Sequence, residues 1–137
     1  MRLVLDSSIA AKWVLPESDA AKALALRDDI RKNVHEVLAP DVFPIEVGHA
    51  LTRAERQGRV SQADGLSLWT EVMKDCPQLF ASLPLMPKAY ALSSQTRIGI
   101  YDALYLRLSE EEQCKMVSAD NRLITLFPSQ VISLSLL

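Results

Sequence analysis

Four carboxylates pose the chemical question in this chain. Asp6, Glu46, Asp102 and Asp120 are far apart in sequence, yet each stands where an apolar segment meets a polar boundary. Asp6 ends Leu3-Val4-Leu5, Asp120 follows Lys115-Met116-Val117-Ser118, and Glu46 and Asp102 come early in two segments with helical apolar patterning. The carboxyl ends of parallel strands open onto one crevice, so strand-end acids and acids of adjoining helices can converge there. Clustered carboxylates repel, and a divalent cation relieves the repulsion. An all-oxygen donor set suits a hard ion, Mg²⁺ or Mn²⁺, and with it phosphoryl chemistry.

Each acid also has an ordinary structural explanation. Asp6 and Asp120, beside helix starts, can act as helix caps. Glu46 shares one flank of its helix with His49 and Arg53, beside a core stripe of Val47, Ala50, Leu51 and Ala54. A solvated first-turn glutamate favoured by the helix dipole is its competing explanation. Asp102 is the sharpest candidate, because nearly every neighbour in Ile100-Tyr101-Asp102-Ala103-Leu104-Tyr105-Leu106 is apolar. An ionised carboxylate there costs several kcal/mol unless paired; its alternative is the N-cap of a later-starting helix. Glu46-x-x-His49 does not make a di-iron site, which needs a second copy and two more glutamates on a four-helix bundle. Ser118 can orient a neighbouring carboxylate. Lys12, Arg53, Arg97 and Arg122 are candidate phosphate contacts, each equally readable as a solvated surface charge.

The elements that must position these residues follow from the pattern. Strands are expected at Arg2–Leu5, Val37–Ala39, Leu79–Leu83, Lys115–Ser118 and Val131–Leu134. Helices are expected at Ile9–Val14, capped by Ser7 or Ser8, and from Ser18 to about Arg31, with a stripe of Ala21, Leu24, Ala25 and Asp28. Further helices are expected at Val42–Gln57, from the Ser61 capping box to about Asp75, and at Pro87–Thr96, Ile100–Glu112 and Asn121–Leu126. Pro44 falls in a first turn, where its missing N–H is harmless, and Gly58 terminates that helix. Alternating strands and helices predict a mainly parallel sheet covered on both faces.

The 137 residues, 49% of them hydrophobic, suffice for one domain, residues 1–137, with a proper core. A net charge of −2 leaves no global basic footprint, so attraction to a nucleic acid must come from local Lys and Arg. The charge-interrupted start excludes a signal peptide and no apolar run reaches membrane-spanning length, so a cytoplasmic protein is expected. Cys76 and Cys114 have neither metal nor redox spacing and are expected free and reduced. With only two His and no Cys cluster, zinc is not expected. Haloacid-dehalogenase-type phosphatases want a second Asp where Ser8 stands, and receiver domains want an extra acid beside the first-strand Asp. Neither pattern is met.

Taken together, these segments resemble the PIN-domain ribonucleases, and within them the VapC-like toxins of toxin–antitoxin pairs. The resemblance rests on Leu5-Asp6-Ser7-Ser8, Pro44-Ile45-Glu46-Val47 with Ala50-Leu51, Tyr101-Asp102-Ala103-Leu104-Tyr105-Leu106, and Val117-Ser118-Ala119-Asp120-Asn121-Arg122-Leu123. It spans essentially the whole chain. It implies a three-layer α/β/α fold with a parallel sheet of about five strands, and Mg²⁺- or Mn²⁺-dependent endonuclease activity on single-stranded or looped RNA. The family's acidic positions carry over to Asp6, Glu46, Asp102 and Asp120, and its hydroxyl positions to Ser8 and Ser118. His49 departs from the pattern, since many relatives have Asn there. A homodimer and a small antitoxin are the implied partners. The alternative within the same fold is an RNA-binding or assembly subunit with weak chemistry.

Overall fold

A computed structural model describes all residues, 1–137. Its centre is a five-stranded, all-parallel sheet in the order β3-β2-β1-β4-β5. The strands are β1 (Arg2–Leu5), β2 (Glu36–Pro40), β3 (Gln78–Phe80), β4 (Lys115–Ser118) and β5 (Val131–Ser133). Leu3, Val4, Leu5, Leu38, Ala39, Met116 and Val117 are all buried. These are the continuous apolar runs required of strands covered on both faces.

Seven helices supply the covers: α1 (Ser7–Ala11), α2 (Ala20–Arg31), α3 (Phe43–Arg56), α4 (Gln62–Met73), α5 (Met86–Thr96), α6 (Ile100–Glu111) and α7 (Asn121–Leu126). From β1 the chain steps outward to β2 and β3, then returns across the sheet to β4 and β5. Right-handed crossovers in opposite directions place α1–α4 on one face and α5–α7 on the other, giving three layers. The order therefore reverses between β1 and β4, the topological switch point where open α/β sheets build their sites. α6 packs over β1, β2 and β4, with Leu104, Leu106 and Leu108 buried beneath it.

Local chemistry explains most boundaries. Ser61 Oγ accepts from Asp64 N–H at 3.3 Å, the capping arrangement expected for α4. Pro44 sits in the first turn of α3, and Gly58, at φ +75°, closes it in the left-handed conformation. Several expectations need correction. Asp6, not Ser7 or Ser8, caps α1, which ends at Ala11, so Trp13 and Val14 lie in turns. α2 begins at Ala20 behind Asp19 at φ 64°, with no side-chain cap from Ser18. Its core stripe is Ala23, Leu26 and half-buried Ile30, whereas Ala21, Leu24, Ala25 and Asp28 face solvent. The turn before α2 rotates the helix, and Ala and Leu occur on both faces, so composition could not choose the stripe. β3 covers Gln78–Phe80 and stops short of Leu83: Ser82 N–H turns to Asp41 Oδ1 and a 3₁₀ turn (Leu83–Leu85) follows; Leu134 likewise opens a 3₁₀ turn after β5.

Leu5 is fully buried and immediately precedes Asp6. Leu5→Ala is expected to cost about 3 kcal/mol and to lower Tm by roughly 10 °C in calorimetry.

Candidate active site

The carboxyl ends of β1 and β4 are joined by the Asp6 amide, which donates to the Val117 carbonyl at 3.3 Å, and by a side-chain hydrogen bond. Ser118 Oγ, fully buried at the end of β4, donates to Asp6 Oδ2 at 2.7 Å. Asp6 Oδ1 accepts from Ser8 N–H at 3.2 Å, so the carboxylate caps α1 while facing the crevice. Ser118 Oγ also accepts from Asp120 N–H at 3.0 Å, and Asp120 Oδ1 accepts from Arg122 N–H at 2.9 Å, capping α7. Capping leaves both carboxylates in the crevice, because a helix N-terminus at a strand end presents its cap there.

α3 and α6 bring the other two acids from opposite faces of the sheet. Glu46 lies in the first turn of α3 and Asp102 in the first turn of α6. The N-cap of α6 is Gly99, so Asp102 is not the cap that its position also allowed. Asp6, Glu46, Asp102 and Asp120 line a single open cleft of about 360 Å³ together with Ser7, Ser8, Lys12 and Ala119. The same four residues singled out by spacing are thus neighbours in space.

Their electrostatics are those of crowded acids. Burial pushes the Asp6 carboxyl above the usual range, against the pull of Ser118 and Ser8, and the charge of Asp120 adds to the rise. Glu46 is pushed up to about 7, first by burial, with the charges of Asp6 and Asp102 adding and Tyr105 and Ser7 opposing. Asp102 is pushed up to about 6 by burial and by Asp6 and Asp120, while Arg122 opposes. Tyr105 is raised by burial and by Glu46. The Tyr105 hydroxyl and Glu46 Oε1 influence each other without forming a good hydrogen bond: both atoms are buried and neither has a partner. A buried carboxylate oxygen without a donor is costly, and a cation or a proton removes the cost.

The donor chemistry fits a hard divalent ion. The four acids offer only oxygen ligands, one of them an orphan, and each negative charge raises its neighbours. No three of them form a closed cage around one point. An ion held by one or two carboxylates, with water or phosphate oxygens completing the octahedron, is the mode Mg²⁺ prefers.

The expected cations are distributed unevenly. Lys12 lines the cleft, but its ammonium donates to Glu17 Oε2 at 3.3 Å and to the Ser18 carbonyl at 3.0 Å. Arg122 acts on Asp102 by charge while its Nη2 donates to the Arg97 carbonyl at 3.0 Å. The Arg97 side chain lines a different groove with Met86, Tyr90 and Ser93. Arg53 and His49 are exposed on α3 and line no part of the cleft. Sequence reasoning gave no role to Tyr105 or Glu17, and to Ser7 only that of a helix cap. Tyr105 carried a usable signal, since a tyrosine within an apolar helix needs a partner for its hydroxyl.

The model of the PIN domain family matches residues 3–126. The chain belongs to the PIN domain family. Across the family the chain is similar to Ribonuclease VapC3 of Pyrobaculum aerophilum, at 24% identity over 133 residues, covering 96% of this chain and 98% of that protein. Among solved PIN-like structures, PAE2754 from Pyrobaculum aerophilum superposes with a TM-score of 0.74 at 20% identity, covering 99% of this chain and 91% of the other. VapBC2 from Rickettsia felis, solved bound to a DNA fragment from its promoter, gives 0.69 at 11% identity, with 97% and 98% coverage. At such identities the structural likeness carries the fold, and the five-stranded parallel sheet is the PIN fold.

The raised carboxyls set the pH dependence of the metal-free PIN domain. A carboxyl whose folded pKa exceeds its unfolded value of about 4 favours folding below about pH 4. That advantage is lost as pH rises through the folded values, about 6 for Asp102 and about 7 for Glu46. In chelator, Tm is therefore expected to fall by a few degrees between about pH 4.5 and pH 7.5. Asp102→Asn should flatten part of that slope in a calorimetric pH series.

Proposed function

We propose that this PIN domain protein is a Mg²⁺- or Mn²⁺-dependent endoribonuclease that hydrolyses RNA phosphodiester bonds. The observation that carries the proposal is the shared cleft of Asp6, Glu46, Asp102 and Asp120 at the β1/β4 switch point. The ribonuclease name of the Pyrobaculum aerophilum relative supports the substrate class.

Asp6, Asp102 and Asp120 would hold the cation directly or through water, with Glu46 at or just behind them. When bound, the cation supplies activation of water near neutral pH and offsets charge on the phosphate in the transition state. The protein's own part is positioning and charge. Ser118 fixes the Asp6 carboxylate by its 2.7 Å hydrogen bond, and Ser8 N–H fixes the other oxygen. Glu46, with its pKa about 7, can hold a proton at its carboxyl in the metal-free protein and give it up as the site fills. Arg122 offsets charge near Asp102 and would be a cation available to an incoming phosphate.

Asp102→Asn is expected to abolish Mg²⁺-stimulated cleavage of a single-stranded RNA while circular dichroism stays unchanged. In wild type, titration of Mg²⁺ into weakly buffered protein at pH 6.5 should release protons. Full cleavage by Asp102→Asn, or silent proton release, would remove the metal-site reading.

We further propose that the protein is the toxin of a toxin–antitoxin pair and forms a homodimer in the cytoplasm. The likeness to the Rickettsia felis VapBC2 structure supports the pairing. Ile45, Leu66, Leu83 and Tyr90 are each more than two-thirds exposed, and that much apolar surface suits a partner. An antitoxin Arg at the acidic cleft would compete with the cation by charge-assisted pairing. No helix is long and apolar enough to cross a membrane. Expression alone should arrest growth, and light scattering at micromolar concentration should give twice the chain mass of 15.2 kDa; a harmless monomer would count against both.

A further inference from the structure

Lys12 lines the cleft of the four acids, yet its ammonium is bound outside that set. The Lys12 side chain is only 11% exposed. An amine on a four-carbon stem beside four acids has every electrostatic reason to sit on one of them. Its ion pair is instead with Glu17, at 3.3 Å, and a second donor goes to the Ser18 carbonyl at 3.0 Å. Glu17 is gripped from its other side: Arg59 Nη1 reaches Oε1 at 3.5 Å, and Arg59 Nε donates to Gln57 Oε1 at 3.0 Å. The turn after α1 and the turn after α3, which Gly58 makes at φ +75°, thus meet on one carboxylate beside the cleft. Lysine has three donors. Two are committed to this brace, and one is left for a ligand in the cleft.

We propose that Glu17 is a positioning residue: it holds the Lys12 ammonium on the cleft wall, where it takes a phosphate oxygen of the RNA, and keeps it off the carboxylates that bind the divalent cation. The inference rests on the metal-dependent ribonuclease reading above. Without the charge on Glu17, the anions that share the cleft with Lys12 are the site acids. The ammonium then occupies the cation's place as a weaker surrogate, and the substrate loses a contact.

The test is a double-mutant cycle on the whole protein, with Mg²⁺ binding followed by calorimetry and binding of a single-stranded RNA measured in Ca²⁺ across a salt series. Glu17→Gln should lower Mg²⁺ affinity about tenfold, the scale of an outer partner of a metal site. Lys12→Met should leave Mg²⁺ affinity at or above the wild-type value, and K12M/E17Q should regain it, a non-additivity that marks coupling through the lysine. In Ca²⁺, both single variants should bind RNA more weakly, and Lys12→Met should flatten the log–log salt slope by about 0.7, one phosphate contact on a single strand. Glu17→Asp, which keeps the charge but withdraws it by one methylene, should follow Glu17→Gln with smaller amplitude, and it serves if Glu17→Gln does not fold. Equal losses of Tm in both single variants with unchanged Mg²⁺ and RNA binding would reduce the pair to a loop tether and overturn the inference. A Mg²⁺ defect that persists in K12M/E17Q would overturn it too. Absence of Mg²⁺ binding by the wild type is a different result, which removes the metal-dependent reading itself.

Discussion

The structure is organised around a carboxyl group that folding buries at the end of the central strand. Asp6 ends the central strand at the switch point, its two oxygens fixed by the Ser118 hydroxyl and the Ser8 amide. Those two bonds tie β4 and α1 to the end of β1, and they offset part of the cost of taking a carboxylate out of water. They do not offset all of it, since Asp6 remains raised by burial and by Asp120.

That tension accounts for the character of the cleft. Glu46 and Asp102 come from helices on opposite faces of the sheet, each held in a first turn whose dipole favours negative charge. Burial and mutual repulsion outweigh that help, and both carboxyls rise toward neutral pH. The orphan Glu46 oxygen and the unpartnered Tyr105 hydroxyl mark the place where local hydrogen bonding runs out. A fold that keeps crowded, partly unsatisfied acids in a cleft carries a local cost in stability.

The positive groups obey the same logic at longer range. Lys12 enters the cleft but is answered by Glu17, and Arg122 approaches Asp102 while its guanidinium is held by the carbonyl that ends α5. Neither cation closes directly on a site acid, so the negative charge of the cleft stays available. With a net charge of −2, the surface offers little long-range attraction to a polyanion, and placement of these few cations decides how one is met.

Much of this was legible in the sequence. Strand and helix periodicity placed β1, β4 and α7 at their observed boundaries, since unbroken apolar runs and cap residues are local signals. The four acids could be grouped because a strand-end carboxylate and an acid buried in an apolar helix are chemically conspicuous one at a time. Local pattern could not choose the stripe of α2, where the left-handed Asp19 sets the rotation and both faces carry small apolar residues. Nor could it sort the cations. Arg53 and Arg97 look the same in sequence as Lys12 and Arg122, and only packing puts Lys12 on the cleft wall and Arg122 within electrostatic reach of Asp102. Asp41 shows the limit most plainly: it too follows a strand, but it accepts from the Ser82 amide at 3.3 Å and serves a loop. Sequence by itself determined which residues were chemically able to act, because charge and burial tendency belong to each residue. Which of them share a cleft was decided by the tertiary structure, because proximity depends on crossovers of up to thirty or more residues that no local signal encodes.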